Sequence, residues 1–178
     1  MSQEQITDIP EKNNHPSRKR TRLKNWDYGT NGIYFLTICS EKRKSLWGKI
    51  ELLDINDIFN PPKMLLNEYG KIVDKTIASI NETYEHINIE KYVIMPNHIH
   101  LLVFVDIEDS FQKLSFINSA VPSVISTLKR LSNKVSGFNM FQRSYYDHII
   151  RNQHDYETKW KYIDDNPAKW AEDEYFST

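Results

Sequence analysis

Ile87-Asn88-Ile89-Glu90-Lys91-Tyr92-Val93-Ile94-Met95-Pro96-Asn97-His98-Ile99-His100-Leu101-Leu102-Val103-Phe104-Val105 is the stretch around which the rest of the chain can be organised. Two runs rich in β-formers, Ile87 to Met95 and His98 to Val105, flank Pro96-Asn97, a pair suited to a tight turn. The reading is a hairpin. Side chains two apart on a strand share a face, so Ile99, Leu101 and Val103 point to one side and His98 and His100 to the other. The apolar side calls for helices to cover it.

Working outward, Ile33 to Ser40 reads as a further strand and Leu46 to Leu53 as a weaker strand or extended arm, before Asn60-Pro61-Pro62 breaks the chain. From Leu65 the apolar positions Leu65, Tyr69, Ile72, Val73, Ile77, Ile80 and Tyr84 follow one helix face. A second helix is expected from Pro122, with Val121 kept out of helical angles by the proline and Val124, Leu128, Leu131 and Val135 as its buried stripe. Gly137 is a plausible stop for it. Phe141 to Ile150 reads as a fourth strand, and Asn152 can cap a last helix that ends before Pro167. The order of strand, helix, strand, strand, helix, strand and extra helix predicts an α+β chain. Its core would be a ferredoxin-like antiparallel sheet (βαββαβ), with an additional C-terminal helix.

The 178 residues suffice for one domain with a real core, expected over 26–178. Residues 1–25 are polar and without periodicity, and read as a disordered basic tail. No apolar run approaches the roughly 18 residues that a membrane span needs, the first residues do not resemble a secretory signal, and the single Cys39 excludes a disulfide framework. These features predict a cytoplasmic protein. Net charge is only −1, but Arg18, Lys19, Arg20, Arg22 and Lys24 crowd one segment, with Lys42, Arg43 and Lys44 after it. Such clusters can form a phosphate-binding edge, and a solvated tail would look the same.

Chance gives roughly 0.2 His-x-His pairs in a chain with this many histidines, so position carries the argument. Two imidazoles on one face of an otherwise apolar strand would be costly to bury unpaired, and a shared cation would engage both. The last helix adds a second feature. At about 100° per residue, Tyr156, Trp160 and Ile163 form a packing face, while Tyr162 is expected opposite, with Asp155, Lys159 and Asn166. A tyrosine on a polar face is either an ordinary surface residue or a hydroxyl aimed at something. Asn166, one turn from Tyr162, could add an oxygen to the ion that the histidines hold.

Together the two features resemble the HUH transposases that carry one catalytic tyrosine, and among them the REP-associated tyrosine transposase branch. The similarity runs through Tyr34-Phe35-Leu36-Thr37-Ile38-Cys39 and Tyr92 to Val103. It continues through Ser144-Tyr145-Tyr146-Asp147-His148-Ile149-Ile150-Arg151-Asn152, Asp155-Tyr156 and Tyr162-Ile163-Asp164-Asp165-Asn166-Pro167, covering about residues 25 to 170. The resemblance implies a ferredoxin-like fold, a Mg²⁺ or Mn²⁺ ion, a covalent 5′-phosphotyrosine intermediate and single-stranded DNA with imperfect hairpins near the cut. It makes His98 and His100 metal ligands, Tyr162 the nucleophile and Asn166 the third ligand, with Asp165 a neighbouring rival. It also favours a monomer over subunits that exchange the tyrosine helix. Tyr156 and His148 recur in the family; Tyr156 reads as packing and His148 as a strand histidine with a hydrogen-bond partner.

A free tyrosine, with a pKa near 10, is only about 0.1% phenolate at pH 7, a shortfall of roughly 4 kcal/mol. A neighbouring cation would help, and Lys159 is placed for that role or for a phosphate contact. DNA contacts are expected from Arg18 to Lys24, from Lys42 to Lys44, and from Lys129, Arg130 and Lys134 on the second helix. Trp26, Tyr28, Trp47 and Tyr145 are available as stacking platforms. Two other functions fit the same elements: a nucleic-acid-binding sheet without chemistry, and a metal-dependent nuclease in which Tyr162 is incidental.

Overall fold

The computed structural model describes residues 31–51, 61–107, 120–173 and 176. The basic segment Arg18 to Lys24, together with Trp26 and Tyr28, lies outside the described residues. Among the described residues, six strands and three α-helices follow in the order β1 (Gly32–Cys39), β2 (Gly48–Glu51), β3 (Lys63–Leu66), α1 (Glu68–Thr83), β4 (Ile87–Ile94), β5 (His98–Val105), α2 (Ala120–Ser136), β6 (Tyr146–Ile150) and α3 (Gln153–Asp165). Short 3₁₀ turns occupy Glu41–Arg43 and Trp170–Glu172.

Four strands form one sheet in the order β4-β5-β1-β6, every pairing antiparallel. With α1 and α2 as the two crossovers, this is the expected ferredoxin-like arrangement, and α3 is the extra helix. β2 and β3 make a separate antiparallel pair. Ile99, Leu101 and Val103 are fully buried in a core with Val73, Ile77 and Ile80 of α1 and Val121, Val124 and Leu128 of α2. The opposite face of the sheet carries a smaller apolar cluster, Phe35, Leu102 and Ile163, with Tyr156 and Trp160 packed against it. The sheet is therefore sandwiched between α1 and α2 on one side and α3 on the other.

β4 serves both layers through an irregularity between Ile89 and Lys91. Ile87 and Ile89 enter the α1–α2 core, whereas Val93, which strict alternation would put beside them, packs in the α3 cluster. The extra residue reverses the parity of the strand. It brings Lys91 to α3 beside Glu90, which faces that way already; Glu90 accepts a hydrogen bond from Tyr156 Oη at 3.2 Å and Lys91 Nζ lies 2.6 Å from Asp164.

Several boundaries differ from the sequence reading. Leu65 belongs to β3, 41% exposed, because the helix begins only after Asn67, whose side chain accepts from Gly70 N. Ala120 and Val121 are helical and fully buried, so burial outweighs the backbone preference that a following proline imposes. Val135 is 68% exposed: the buried stripe of α2 ends at Ser132, and its last turn projects beyond the sheet. Gly137 does terminate it, with a positive φ of 82° and its amide donating to Asn133 O. The fourth strand is shorter than expected; Phe141 makes only an isolated bridge to Ser40.

Candidate active site

His98 and His100 begin β5 immediately after the Pro96-Asn97 turn, and that turn is held on several sides. Met95 N donates to His98 O at 2.8 Å, and Leu46 and Trp47 amides both donate to Pro96 O, at 2.8 and 3.1 Å. Ser40 N donates to Asn97 O at 2.8 Å, and Asn97 Nδ2 donates to Arg43 O at 3.3 Å. Reaching that last bond takes Lys42 and Arg43 through left-handed backbone, φ 57° and 54°, at a cost of about 1 kcal/mol or more each. The start of β5 is therefore fixed before any side chain of the site is considered.

The two imidazoles are side by side, ring centroids 4.6 Å apart, and both are buried. His98 Nδ1 lies 3.0 Å from Asn97 Oδ1. A carbonyl oxygen can only accept, so Nδ1 donates and Nε2 keeps the lone pair. His100 Nδ1 lies 2.9 Å from Thr37 Oγ1, its cross-strand partner. Burial pushes His98 down to about 4, against the opposing pull of the Asp173 carboxylate. Burial also holds His100 well below the ordinary imidazole range, assisted by His98 and Lys159. Both rings are neutral at pH 7, the form in which a metal binds imidazole, with their far nitrogens oriented by hydrogen bonds as ligating histidines usually are.

A third donor comes from beyond the last helix. The chain turns at Asn166 and folds back so that Trp170 lies 5.9 Å from the His98 ring and Asp173 Oδ2 4.0 Å from His98 Nε2. His98, His100 and Asp173 offer ligand atoms that all lie within 4.8 Å of one another. Two neutral imidazoles and one carboxylate suit a divalent ion, so this donor set fits a metal. Asn166 is 2% exposed, lies against His98 and donates to Asp173 Oδ2 at 3.4 Å. Asp165 turns away and pairs with Lys169 at 3.0 Å. Of the two neighbours considered as ligands, Asn166 faces the histidines.

Tyr162 lies beside this cluster, but not on the side of α3 that was expected. Its ring is 5.1 Å from His100 and 5.9 Å from Phe35, edge-on to both, and it is 37% exposed. From Ile163 it is about 100° around the helix, which places it on the flank of the packing face and not opposite it. Lys159 shares the flank, its Nζ 6.0 Å from the Tyr162 ring centroid and 5.0 Å from Phe35. Tyr156 packs with Trp160 at 5.6 Å, and burial followed by Glu90 raises its phenol. His148 has its partner: Nε2 lies 2.9 and 3.0 Å from the two Asp155 oxygens. Burial pushes Asp155 up, but that bond and the Arg151 amide hold it below the usual carboxylate range.

The positions expected to meet DNA divide. Lys42, Arg43, Lys44, Arg130 and Lys134 are exposed. Lys129 is instead turned inward, donating to the carbonyls of Gln142 and Arg143 at 2.7 and 3.2 Å, and burial lowers it to about 8. Trp47 is fully buried, 5.4 Å from Phe141, and Tyr145 packs against the core, so neither is an open platform. Asp173 is the residue that sequence reasoning missed. Its signal was the cluster of aromatics Trp170, Tyr175 and Phe176 in the last residues; the Trp170 and Phe176 rings lie 5.4 Å apart, which marks a segment that docks. Among the described residues no helix is long and apolar enough to cross a membrane.

No family model matches the chain. A Haemophilus influenzae protein of uncharacterised function is 29% identical over 179 positions, covering 89% of this chain and 93% of its own. A candidate transposase of Deinococcus radiodurans has a TM-score of 0.45 at 16% identity, covering 83% of this chain and 96% of its own. A REP-associated tyrosine transposase, solved bound to a REP hairpin, superposes with a TM-score of 0.59 at 19% identity, covering 83% of this chain and 73% of that one. The chain shares the fold of that transposase.

Proposed function

We propose that the protein nicks and rejoins single-stranded DNA as a tyrosine transposase of the REP-associated kind. The observation that carries this reading is the Tyr162 ring, 5.1 Å from His100 at the edge of a cluster of three metal donors. His98, His100 and Asp173, with Asn166 alongside, would hold Mg²⁺ or Mn²⁺. A divalent ion there supplies charge neutralisation at a phosphodiester. Tyr162 Oη attacks phosphorus, its proton leaves to solvent, and the bond to the 3′ oxygen breaks. The phosphotyrosine ester conserves the bond, so reversal rejoins the strand without a nucleotide cofactor. Lys159 Nζ, 6.0 Å from the Tyr162 ring centroid, sets a positive charge beside the attacked phosphate. Hairpin-forming DNA is the expected substrate, with Arg18, Lys19, Arg20, Arg22, Lys24, Lys42, Arg43, Lys44, Arg130 and Lys134 as phosphate contacts. The protein is taken to act as a monomer, with the tyrosine of α3 acting in cis.

Incubation with hairpin-bearing single-stranded DNA and Mn²⁺, followed by denaturing electrophoresis, tests this directly. A covalent protein–DNA band is expected. Free cleavage without it would make the protein a metal-dependent nuclease, and binding alone would make it a non-catalytic module.

A further inference from the structure

A cavity of 490 Å³ opens beside Tyr162 and His100 between β1, β6 and α3, and part of its wall, Phe35, Tyr146 and His148, has no part in the cleavage chemistry. The volume falls in the roughly 300–1,000 Å³ range of small-ligand sites. Thr37 pairs with His100 on one side and Tyr146 on the other, so one row of the sheet runs from the metal donors to Tyr146. Tyr146 leaves 56% of itself exposed at the cavity, an aromatic ring with little packing to satisfy it. Across from it on α3, Lys159 contributes a cation to the same wall. In the next row, opposite Phe35, His148 is held by both oxygens of Asp155. Asp155 is itself anchored, its amide donating to Asn152 Oδ1 at 2.9 Å and its carboxylate accepting from Arg151 N at 3.3 Å.

An exposed aromatic face, a nearby cation and an oriented imidazole edge are the groups that a single nucleotide engages: stacking for the base, charge for the phosphate and a polar edge for selection. An apolar protein segment would leave Lys159 and His148 unmatched. We propose that this cavity is a nucleotide subsite, in which a base stacks on Tyr146 while its phosphate meets Lys159 and His148 presents a fixed hydrogen-bonding edge. The lining includes Tyr162 and, of the metal donors, His100 alone, so the subsite takes the strand segment on the tyrosine side of the cut. This rests on the reading of Tyr162 as the cleavage residue.

The test uses the full chain as Tyr162→Phe, so that binding is measured without chemistry. A fluorescein-labelled oligothymidylate of about 12 nucleotides and a fully abasic strand of equal length are titrated with Mn²⁺ present and followed by anisotropy. Tyr146→Leu should weaken oligothymidylate binding about tenfold or more and leave abasic binding unchanged, while Tyr146→Trp retains affinity. Lys159→Met should flatten the salt dependence by about one phosphate contact on both strands. Unchanged oligothymidylate affinity in Tyr146→Leu, or an equal loss on the abasic strand, overturns the subsite. The wild-type adduct assay reports separately: no adduct beside a Tyr146-dependent binding loss would refute the cleavage reading and leave a nucleotide site.

Discussion

Asp173 and Asn166 both approach His98, and exchanging each in turn decides which completes the metal site. Asp173→Asn keeps the shape of the side chain and removes its charge. That side chain is 4% exposed and its Oδ2 is 4.0 Å from His98 Nε2, so its charge acts through protein with little water between. At 4 Å and an effective dielectric of about 20, a unit charge pair is worth about 4 kcal/mol; dehydration of the carboxylate offsets part of this and the double charge of the ion adds to it. A net loss of about 3 kcal/mol, roughly 100-fold in Kd, is expected. Asn166→Ala removes a neutral dipole that also positions Asp173 through the 3.4 Å hydrogen bond, and should cost about tenfold.

Calorimetric titration with Mn²⁺ measures both variants, and thermal melting without metal checks the fold. Wild type should gain stability with rising Mn²⁺ as mass action requires, and Asp173→Asn should lose most of that gain. His98→Ala and His100→Ala should lose it altogether. If Asp173→Asn binds Mn²⁺ like wild type while Asn166→Ala does not, the carboxylate is a bystander and the amide is the ligand.

Tyr162→Phe keeps the ring against Phe35 and His100, so the melting temperature should hardly move while the covalent adduct vanishes; a normal adduct would clear Tyr162. Tyr156→Ala should destabilise by about 2–4 kcal/mol through lost packing on Trp160, and Tyr156→Phe should stay active, both measured by urea unfolding and adduct yield. With His98 pushed down to about 4 from an ordinary 6.5, the unfolded chain binds a proton that the folded one refuses. Stability of the metal-free protein should therefore fall as pH drops from about 6.5 to 4, His98 contributing on the order of 3 kcal/mol and His100 adding to it, and His98→Asn should remove the His98 share of that slope in denaturant titrations. Removing residues 1–24 should flatten the salt dependence of DNA binding by about 3 to 5 phosphate contacts, and an unchanged slope would make the basic segment a bystander.

The parts of the fold that the sequence made legible are those where one periodicity governs an element from end to end. β5 alternates without interruption, so its two faces and the paired histidines follow directly. Asn152 caps α3 as expected, its side chain accepting from Asp155 N. β4 was harder because its parity changes midway. The adjacent charges Glu90 and Lys91 inside an apolar run are the trace of that bulge, since strict alternation cannot bury Ile89 and expose two successive charges on one face. Leu65 was misassigned because its apolar spacing continues into α1, although Asn67 three residues before Gly70 marks the cap. Asp173 was out of reach of any periodicity: it follows Pro167 in irregular backbone, and only its return across Trp170 brings it to His98.

The relation between Tyr162 and the histidines depends on how α3 is seated more than on either residue alone. One turn of helix separates Lys159 from Tyr162 and another separates Tyr162 from Asn166, so all three share a flank whose direction is set by the face that packs. That face is fixed by Ile163 in the small cluster, by Tyr156 on Glu90 and by Lys91 on Asp164, with Lys91 Nζ also 4.1 Å from the Trp160 ring centroid. Glu90 faces α3 by ordinary alternation from Ile89, whereas the Lys91 contacts exist only because the bulge in β4 turns Lys91 toward α3. A rotation of the helix by one residue would swing the Tyr162 ring about 100° from His100 and set Glu157, Lys161 and Asp164 on the sheet in place of Tyr156, Trp160 and Ile163. Packing of that one apolar face therefore selects the productive rotation. The Lys91 contacts that the bulge creates reinforce it, which gives an irregular strand in the sheet a part in aiming the tyrosine.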